Sequence, residues 1–312
     1  MDIKEVTKEE YSQFVINPFS GFDKADFCEL NKEKVNNNVK YFIFENNKKR
    51  FGLLGGIKGN VLKFPFSASF SIISEIAHNN KIEHYHQAIE KLIEWAKENS
   101  IEKIIFNTPP IFFNESHITK FQNALFCNGF KIVGYDINFQ YQLKNYINEQ
   151  NYINSLLSDS RRNLKQAYKN NLKFEKTDNL EKVYEIIKTN RQEKGFPLYM
   201  NKDDILNTSN FIKSDYFLVS NDVEYIASAY IQHITKSIVN VVYWGNLQKS
   251  DKQYPMNFIA QKVFNYYSNE KGIDFVSIGT STLDSKPNFG LCNFKESIGC
   301  ACSPKLLFEI EL

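Results

Sequence analysis

The clearest hydrophobic pattern of the chain lies between residues 255 and 279. The residues that recur there at the spacing of one helix face are Ala260, Val263, Phe264 and Tyr267. Gly272 predicts the end of that helix. Residues 273–278 form a short run rich in β-branched and aromatic side chains, and Gly279 closes it. The pattern therefore predicts an amphipathic helix followed by a buried strand.

A similar helix and strand occur earlier in the chain. A helical stripe runs through Ile89, Leu92, Ile93 and Ala96, and a strand is predicted over 101–106. Each pair is preceded by an apolar strand that ends in an Asn/Asp turn, at 41–47 and at 216–222, so these copies begin 216 − 41 = 175 residues apart. Two repeats of this length predict two similar domains rather than a solenoid. We expect them at 1–148 and 149–312, with the polar segment 144–152 as the linker.

The second half shows the fuller order of elements. It predicts helices at 158–170 and 180–191, three strands at 216–220, 225–231 and 238–244, the helix and strand described above, a helical turn, and a closing strand at 306–312. This order is typical of an α+β sandwich in which helices flank a mixed sheet.

Composition narrows the class of protein. The 312 residues are 42% hydrophobic and carry a formal net charge of +2, which favours two ordinary cores and argues against an obligate nucleic-acid binder. Five cysteines are an odd count, the N-terminus lacks an apolar leader, and no apolar run approaches the length of a membrane span. We therefore expect a cytoplasmic protein without structural disulfides.

The segment from Gly290 to Gly299 is the strongest candidate for chemistry. It places the pair Phe294–Lys295 between two glycines, shortly after the predicted buried strand. A lysine held there is well placed to meet an anion or a developing negative charge. Cys300 and Cys302 alternate on one predicted strand face, but no further ligands stand at zinc-like spacing, so we predict core residues and no metal.

The order of elements and three motifs resemble a known family. Gly290-Leu-Cys-Asn-Phe-Lys-Glu-Ser-Ile-Gly299 is similar to a Gly-x-x-x-Phe-Lys-x-x-x-Gly segment, Ser160–Ala167 resembles an Arg-Asn-Ile-Arg-Lys-Ala helix, and Thr189–Phe196 is similar to a Thr-x-x-Arg-x-Gly-Phe turn. These motifs belong to the Fem-type peptidoglycan aminoacyltransferases and their acyltransferase relatives. The resemblance implies two tandem GNAT-like domains, the second of which carries the transferase site.

The resemblance also implies roles for particular residues. Lys295 matches a lysine that meets substrate phosphate and stabilises a tetrahedral oxyanion, in an open groove where strands splay apart. Arg191 matches an arginine that binds the acceptor's phosphates, and Tyr243 falls where a tyrosine contacts phosphate. The full set of implied substrate-binding residues is Arg162, Arg191, Tyr243, Trp244, Asn257 and Phe294. For Arg162 and its neighbouring cations, a solvated helix face is an equally open interpretation.

The reaction implied is transfer of an acyl or aminoacyl group to an amine of a small molecule or nucleotide-sugar precursor of the cell envelope. The donor stays open between acyl-CoA and aminoacyl-tRNA. The connection Gly245–Pro255 lacks the glycine pair that cradles CoA pyrophosphate, and any contact with tRNA would have to come from cations such as those of residues 161–176. No general base is identified.

Two alternatives remain. The first is a generic acyl-CoA-dependent N-acetyltransferase. The second is a catalytically silent pair of GNAT-like domains that serves as a binding module, which a solvent-closed cleft or an internal ion pair of Lys295 would favour.

Overall fold

The computed structural model describes residues 1–312. The helices are α1 (Lys8–Phe14), α2 (Ala25–Leu30), α3 (Ile82–Glu98), α4 (Glu115–Cys127), α5 (Glu149–Ser155), α6 (Ser158–Lys169), α7 (Leu180–Glu193), α8 (Lys202–Ser209), α9 (Pro255–Ser268) and α10 (Phe289–Ser297). The strands are β1 (Asp2–Glu5), β2 (Val39–Glu45), β3 (Lys49–Lys58), β4 (Val61–Phe64), β5 (Ser74–Glu75), β6 (Lys103–Asn107), β7 (Lys131–Gln142), β8 (Lys173–Thr177), β9 (Ser214–Ser220), β10 (Tyr225–His233), β11 (Ile238–Asn246), β12 (Phe275–Thr280), β13 (Thr282–Leu283), β14 (Lys286–Pro287) and β15 (Ala301–Glu311).

The chain divides into two compact units. Unit 1 comprises Met1–Ile137, Asp284–Lys286 and Ser303–Leu312, and unit 2 comprises Asn138–Leu283 and Pro287–Cys302. The division differs from the boundary expected at 148/149, because most of the last strand, β15, belongs to unit 1, where its residues 307–311 pair antiparallel with β6. Strand β7 contributes residues to both units.

Unit 1 is built on a mixed sheet covered by helices. Its strand order is β1-β2-β3-β4-β6-β15-β7, with β5 beside β3, and only the pairing of β4 with β6 among the strand pairs with a defined register is parallel. Helix α3 buries the stripe that its period predicted, which includes Ile89, Leu92 and Ala96. These side chains pack against aromatic residues of the sheet such as Phe42 and Phe106. Helical periodicity therefore located this core correctly.

Unit 2 is a sheet with helices on both faces. The strand order is β7-β12-β11-β10-β9-β8, and only β11 with β12 is parallel. On β9, Leu218 packs in one cluster with residues of α7, whereas the neighbouring Phe217 lies edge-on to Tyr267 of α9 at 6.2 Å. Successive strand residues point to opposite faces, so α7 and α9 cover opposite faces of this sheet.

Strands β11 and β12 separate soon after they meet. They pair only where Ile238–Asn240 faces Phe275–Ser277. Beyond that point β11 carries a bulge at Val242, because Tyr243 pairs with Tyr230 and Val241 pairs with Ile231. The two strands therefore leave a fork in the sheet of unit 2.

Three local predictions differ from the structure. The polar segment expected as a linker includes the first residues of α5, whose N-terminus is capped by the side chain of Asn148. Strand β8 was not predicted, because its sequence (Lys173–Thr177) is mostly charged and exposed. The expected helical turn near Lys295 is a full helix, α10, of nine residues.

Candidate functional site

The fork in unit 2 lies beside the end of β12 and helix α10. Lys295 lies on α10, and its amine Nζ donates hydrogen bonds to the backbone carbonyls of Gly279, at 2.8 Å, and Thr280, at 3.0 Å. The nitrogen also lies 5.4 Å from the centre of the Phe139 ring. Two carbonyls and one aromatic ring therefore surround this amine.

Lys295 has no carboxylate partner and is buried. The residue is 2% exposed, and the ionisable groups that act on it are the thiols of Cys292 and Cys300. Burial lowers the pKa of Lys295 to about 7, and burial also raises the pKa of the Cys300 thiol. A desolvated amine without a counter-ion loses the solvation that favours its charged form. Near neutral pH, this lysine is therefore poised between its charged and its neutral form.

Hydrogen bonds tie α10 to its neighbouring helices. Asn288 caps α10 by accepting from the backbone N–H of Leu291 at 3.0 Å. At the other end, the Ser297 and Ser160 hydroxyls lie 2.6 Å apart, and Asn257 Nδ2 donates to Ser160 Oγ at 3.1 Å. These bonds link α10 to α6 and α9, so the amide of Asn257, which we expected to bind substrate, is engaged in holding the helix that carries Lys295.

Arg191 and Tyr243 meet on the α7 face of the sheet. The guanidinium carbon of Arg191 lies 5.2 Å from the Tyr243 ring and 6.0 Å from the Phe196 ring. Its Nε is buried without a hydrogen-bond partner, and burial lowers the pKa of Arg191. A half-buried guanidinium with aromatic contacts and no carboxylate is suited to bind an anion.

The remaining predicted residues fall in different places. Trp244 lies edge-on to Phe294 of α10, with ring centroids 6.5 Å apart, so these two residues belong with Lys295. Trp244 and Tyr243 are adjacent on β11 and point to opposite faces, which separates the Trp244 side from the Arg191 side. Arg162 is exposed and forms a 3.2 Å surface ion pair with Asp159, as a solvated helix face does.

The structure does not place Lys295 in the open groove that we expected. Its 2% exposure and its two backbone hydrogen bonds enclose it in the interior of unit 2. The expectation failed because a lysine between glycines is usually on the surface, whereas here α10 turns this side chain inward. Cys302 also departs from the prediction, because it is exposed while Cys300 is buried.

Sequence reasoning missed the groups that hold the amine. Phe139 is an ordinary core residue by its sequence, and backbone carbonyls have no sequence signature. Gly279 gave a signal, since a glycine at the end of a strand often has a left-handed conformation, and its φ is +73°. Ser281, 2% exposed and with a hydroxyl that lacks a hydrogen-bond partner, was also missed.

The connection after β11 contains a short helix in place of a glycine-rich loop. Residues Gln248–Gln253 form a 3₁₀ helix, and Tyr254 precedes α9 in the left-handed conformation.

Two observations concern the whole chain. No group of three or more His, Cys, Asp or Glu side chains is arranged to bind a metal ion. None of the helices combines the length and the hydropathy that a membrane crossing requires.

The fold is that of tandem GNAT-type proteins of the Fem-like kind, as comparison with solved structures shows. The chain is similar to a structure described as FemX (TM-score 0.70, 14% identity, 100% of this chain and 98% of that chain). It is also similar to L-PGS from Bacillus licheniformis (TM-score 0.61, 11% identity, 98% and 93%) and to a tandem GNAT protein from the clavulanic acid biosynthesis pathway (TM-score 0.50, 7% identity, 99% and 98%). No protein-family model and no curated protein matches the sequence.

Proposed function

We propose that the protein is an acyltransferase that moves an acyl or aminoacyl group from an ester or thioester donor to an amine. The observation that carries this proposal is the amine of Lys295, buried without a carboxylate beside the fork between β11 and β12. A protein that serves only as a scaffold gains nothing from such a group, whereas a reaction that passes through charged intermediates uses it.

The acceptor proposed is a cell-envelope precursor that carries an amine and phosphate, such as a nucleotide sugar. The half-buried Arg191 beside Tyr243 is the argument for a phosphate on the acceptor, because its guanidinium has aromatic contacts and no carboxylate partner. A further similar structure is described as the C-terminal domain of a putative lysylphosphatidylglycerol synthetase, and the lysyl group in that name supports an aminoacyl donor; at 12% identity this similarity establishes the fold alone.

The test is a transfer assay read by mass spectrometry. Aminoacyl-tRNA and acyl-CoA donors are each combined with nucleotide-sugar and simple amine acceptors, and the new amide is detected by its mass. We expect Lys295→Ala to fold and to lose activity by about 10²-fold or more, as removal of a group that stabilises transition-state charge or transfers a proton does. The exposed Lys286→Ala is the matched control. Wild-type activity in Lys295→Ala overturns the assignment.

The second candidate is a binding module without catalysis. The 2% exposure of Lys295 favours it, because a closed site admits no substrate in this conformation. Thermal shift separates the candidates: a ligand that stabilises the protein saturably, with no transfer product from any donor, identifies a module. Stabilisation by CoA and none by nucleotide sugars identifies an acyl-CoA-dependent N-acetyltransferase instead.

A further inference from the structure

The end of β12 contains a bulge opposite Phe139. Ser277 of β12 pairs with Gln140 of β7, and Thr280 pairs with Asn138. Two residues of β12, Ile278 and Gly279, therefore face the single residue Phe139. Such an insertion bends a strand locally and changes the direction in which its backbone groups point.

The bulge lets two consecutive carbonyls bond the same amine. In a regular strand, successive carbonyl groups point to opposite sides within the sheet, so neighbouring residues do not share one donor. Here the carbonyls of Gly279 and Thr280 both accept from Lys295 Nζ, at 2.8 and 3.0 Å. The local change of direction at Gly279 is what brings them together.

Gly279 is required at this position for its backbone conformation and not for space. Its φ is +73°, in the left-handed region that L side chains rarely adopt. A Cβ built on Gly279 would have no heavy atom within 4 Å. The methyl group of an alanine would therefore fit as a volume, and alanine would fail only by its preference for another φ.

We propose that Gly279 is a positioning residue for Lys295. The left-handed conformation of Gly279 directs two carbonyls onto the amine and leaves the lone pair of the nitrogen to the reacting groups. A neutral amine has two N–H groups and one lone pair. When both N–H groups are donated to Gly279 and Thr280, the lone pair is left to accept a proton. This inference rests on the proposed function, in which Lys295 acts on the transferred group.

The proton balance of such a step is complete within donor, acceptor and lysine. The lone pair of Lys295 takes one proton from the acceptor's ammonium group, and the freed amine forms the new C–N bond. The acyl C–O or C–S bond then breaks, and the proton on Lys295 passes to the leaving oxygen or sulfur. The amide nitrogen gives its second excess proton to water, and Lys295 returns to its neutral form.

The surroundings of Lys295 contain no charged group that would hold it permanently protonated. The ionisable groups that act on it are the thiols of Cys292 and Cys300, on α10 itself and before β15, and the facing strand β7 contributes the Phe139 ring. Burial lowers the pKa of Lys295 to about 7, in agreement with the geometry.

The experiment measures the titration of Lys295 directly. Protein labelled with ¹³C at lysine Cε is titrated from pH 5 to 10 by NMR, and the Lys295 resonance is assigned by its disappearance in Lys295→Met. Gly279→Val is compared with Gly272→Val, a matched control because Gly272 has φ +87° and also has no atom within 4 Å of a built Cβ. Gly279→Asn is the conservative variant, since Asn tolerates the left-handed conformation.

We expect the Lys295 midpoint to move by at least one pH unit in Gly279→Val and to stay at its wild-type value in Gly272→Val and Gly279→Asn. An unchanged midpoint in Gly279→Val, or an equal shift in the Gly272 control, overturns the inference. If Gly279→Val does not fold, Gly279→Ala takes its place under the same criteria. The titration needs neither donor nor acceptor, so its failure is distinct from an active Lys295→Ala, which would instead overturn the proposed function.

Discussion

Replacing Lys295 with Met is expected to remove a pH-dependent part of the free energy of unfolding of unit 2. Met has a similar length, fills the same interior space and does not titrate. Lys295 has its pKa lowered by burial from 10.5 to about 7, and the residue is 2% exposed, so solvent screening does not reduce this effect much.

The sign follows from the protons bound in each state. Between pH 7 and 10.5 the unfolded chain keeps the lysine protonated while the folded protein releases that proton. The unfolded state binds more protons, so stability rises with pH over this window and is flat below it. The folded lysine is still half protonated at pH 7, so the proton difference integrated from pH 7 to 9.5 corresponds to about 2 pH units, a gain of about 3 kcal/mol.

The assay is urea unfolding at pH 7 and at pH 9.5, followed by tryptophan fluorescence. The chain has two tryptophans, Trp95 in unit 1 and Trp244 in unit 2, so a Trp95→Phe background makes the signal report unit 2 alone. Met also leaves two carbonyls without their donor, but that cost of about 1–3 kcal/mol does not vary with pH. The pH-dependent difference between the two proteins therefore isolates the amine.

The exposed Lys271→Met is the matched control, since it removes a lysine from the same unit without emptying an interior site. Tyrosines and thiols that titrate in the unfolded chain affect all variants equally and cancel in the comparison. A difference between wild type and Lys295→Met that is the same at both pH values would refute the reasoning, because Lys295 would then be charged throughout. A pH-dependent difference in Lys271→Met would refute it equally.

Two further predictions concern stability. Gly245→Ala is expected to destabilise unit 2 by about 1–3 kcal/mol in urea unfolding, because the added Cβ would lie 2.4 Å from Asn190 Cγ, whose amide donates to the Asn246 carbonyl at 2.7 Å. Burial raises the pKa of Asp23 from 3.8 to about 6, so the folded state binds more protons than the unfolded state between about pH 4 and pH 6. The wild-type protein therefore loses stability as the pH rises through this window, and Asp23→Asn is expected to abolish that loss.

The prediction for Gly245 has a control in the chain. Gly290→Ala introduces the same methyl group into helix α10, where its nearest neighbour is Asn288 Oδ1 at 3.5 Å, and is expected to stabilise by up to about 1 kcal/mol. A loss in Gly290→Ala as large as in Gly245→Ala would mean that crowding is not the cause. For Asp23, a slope from pH 4 to 6 that survives in Asp23→Asn contradicts the prediction.

The local pattern of hydrophobic residues located most helices and strands, because the burial of one helix face or one strand is encoded within a few residues. The stripes of α3 and α9 and the apolar runs of β9 to β11 belong to this class. The placement of β15 in unit 1 was not predictable in this way. Its partner β6 lies some two hundred residues away, as in Leu307 opposite Asn107, and nothing in either segment alone specifies the other.

The candidate site was predictable only in part, for a related reason. Residue identity singled out Lys295, and the resemblance placed Phe294 and Trp244 near it, where their rings do lie close together. The same resemblance pointed to Arg162, which lies on a solvated helix face, and to Asn257, which holds α10 in place. The acceptors of the Lys295 amine are backbone carbonyls, and the φ of Gly279 sets their direction. The direction of a backbone carbonyl cannot be read from residue identity.

The energy of the Lys295 site bears on the choice between an enzyme and a binding module. A pKa of about 7 means that keeping this amine in its charged form in the interior costs about 5 kcal/mol relative to water. Natural proteins retain an interior charge of that cost where a ligand or a reaction requires it, since most domains have only about 5–15 kcal/mol of stability. A module whose ligand does not contact this amine would be served better by Met or Leu at this position. Under the proposed function, the closed surroundings of Lys295 are those of a resting state, in which two carbonyls hold the amine until substrate reaches the fork. A resting state of this kind favours a transferase. It requires that a bound acceptor increase the rate of amide hydrogen exchange at residues 279–281.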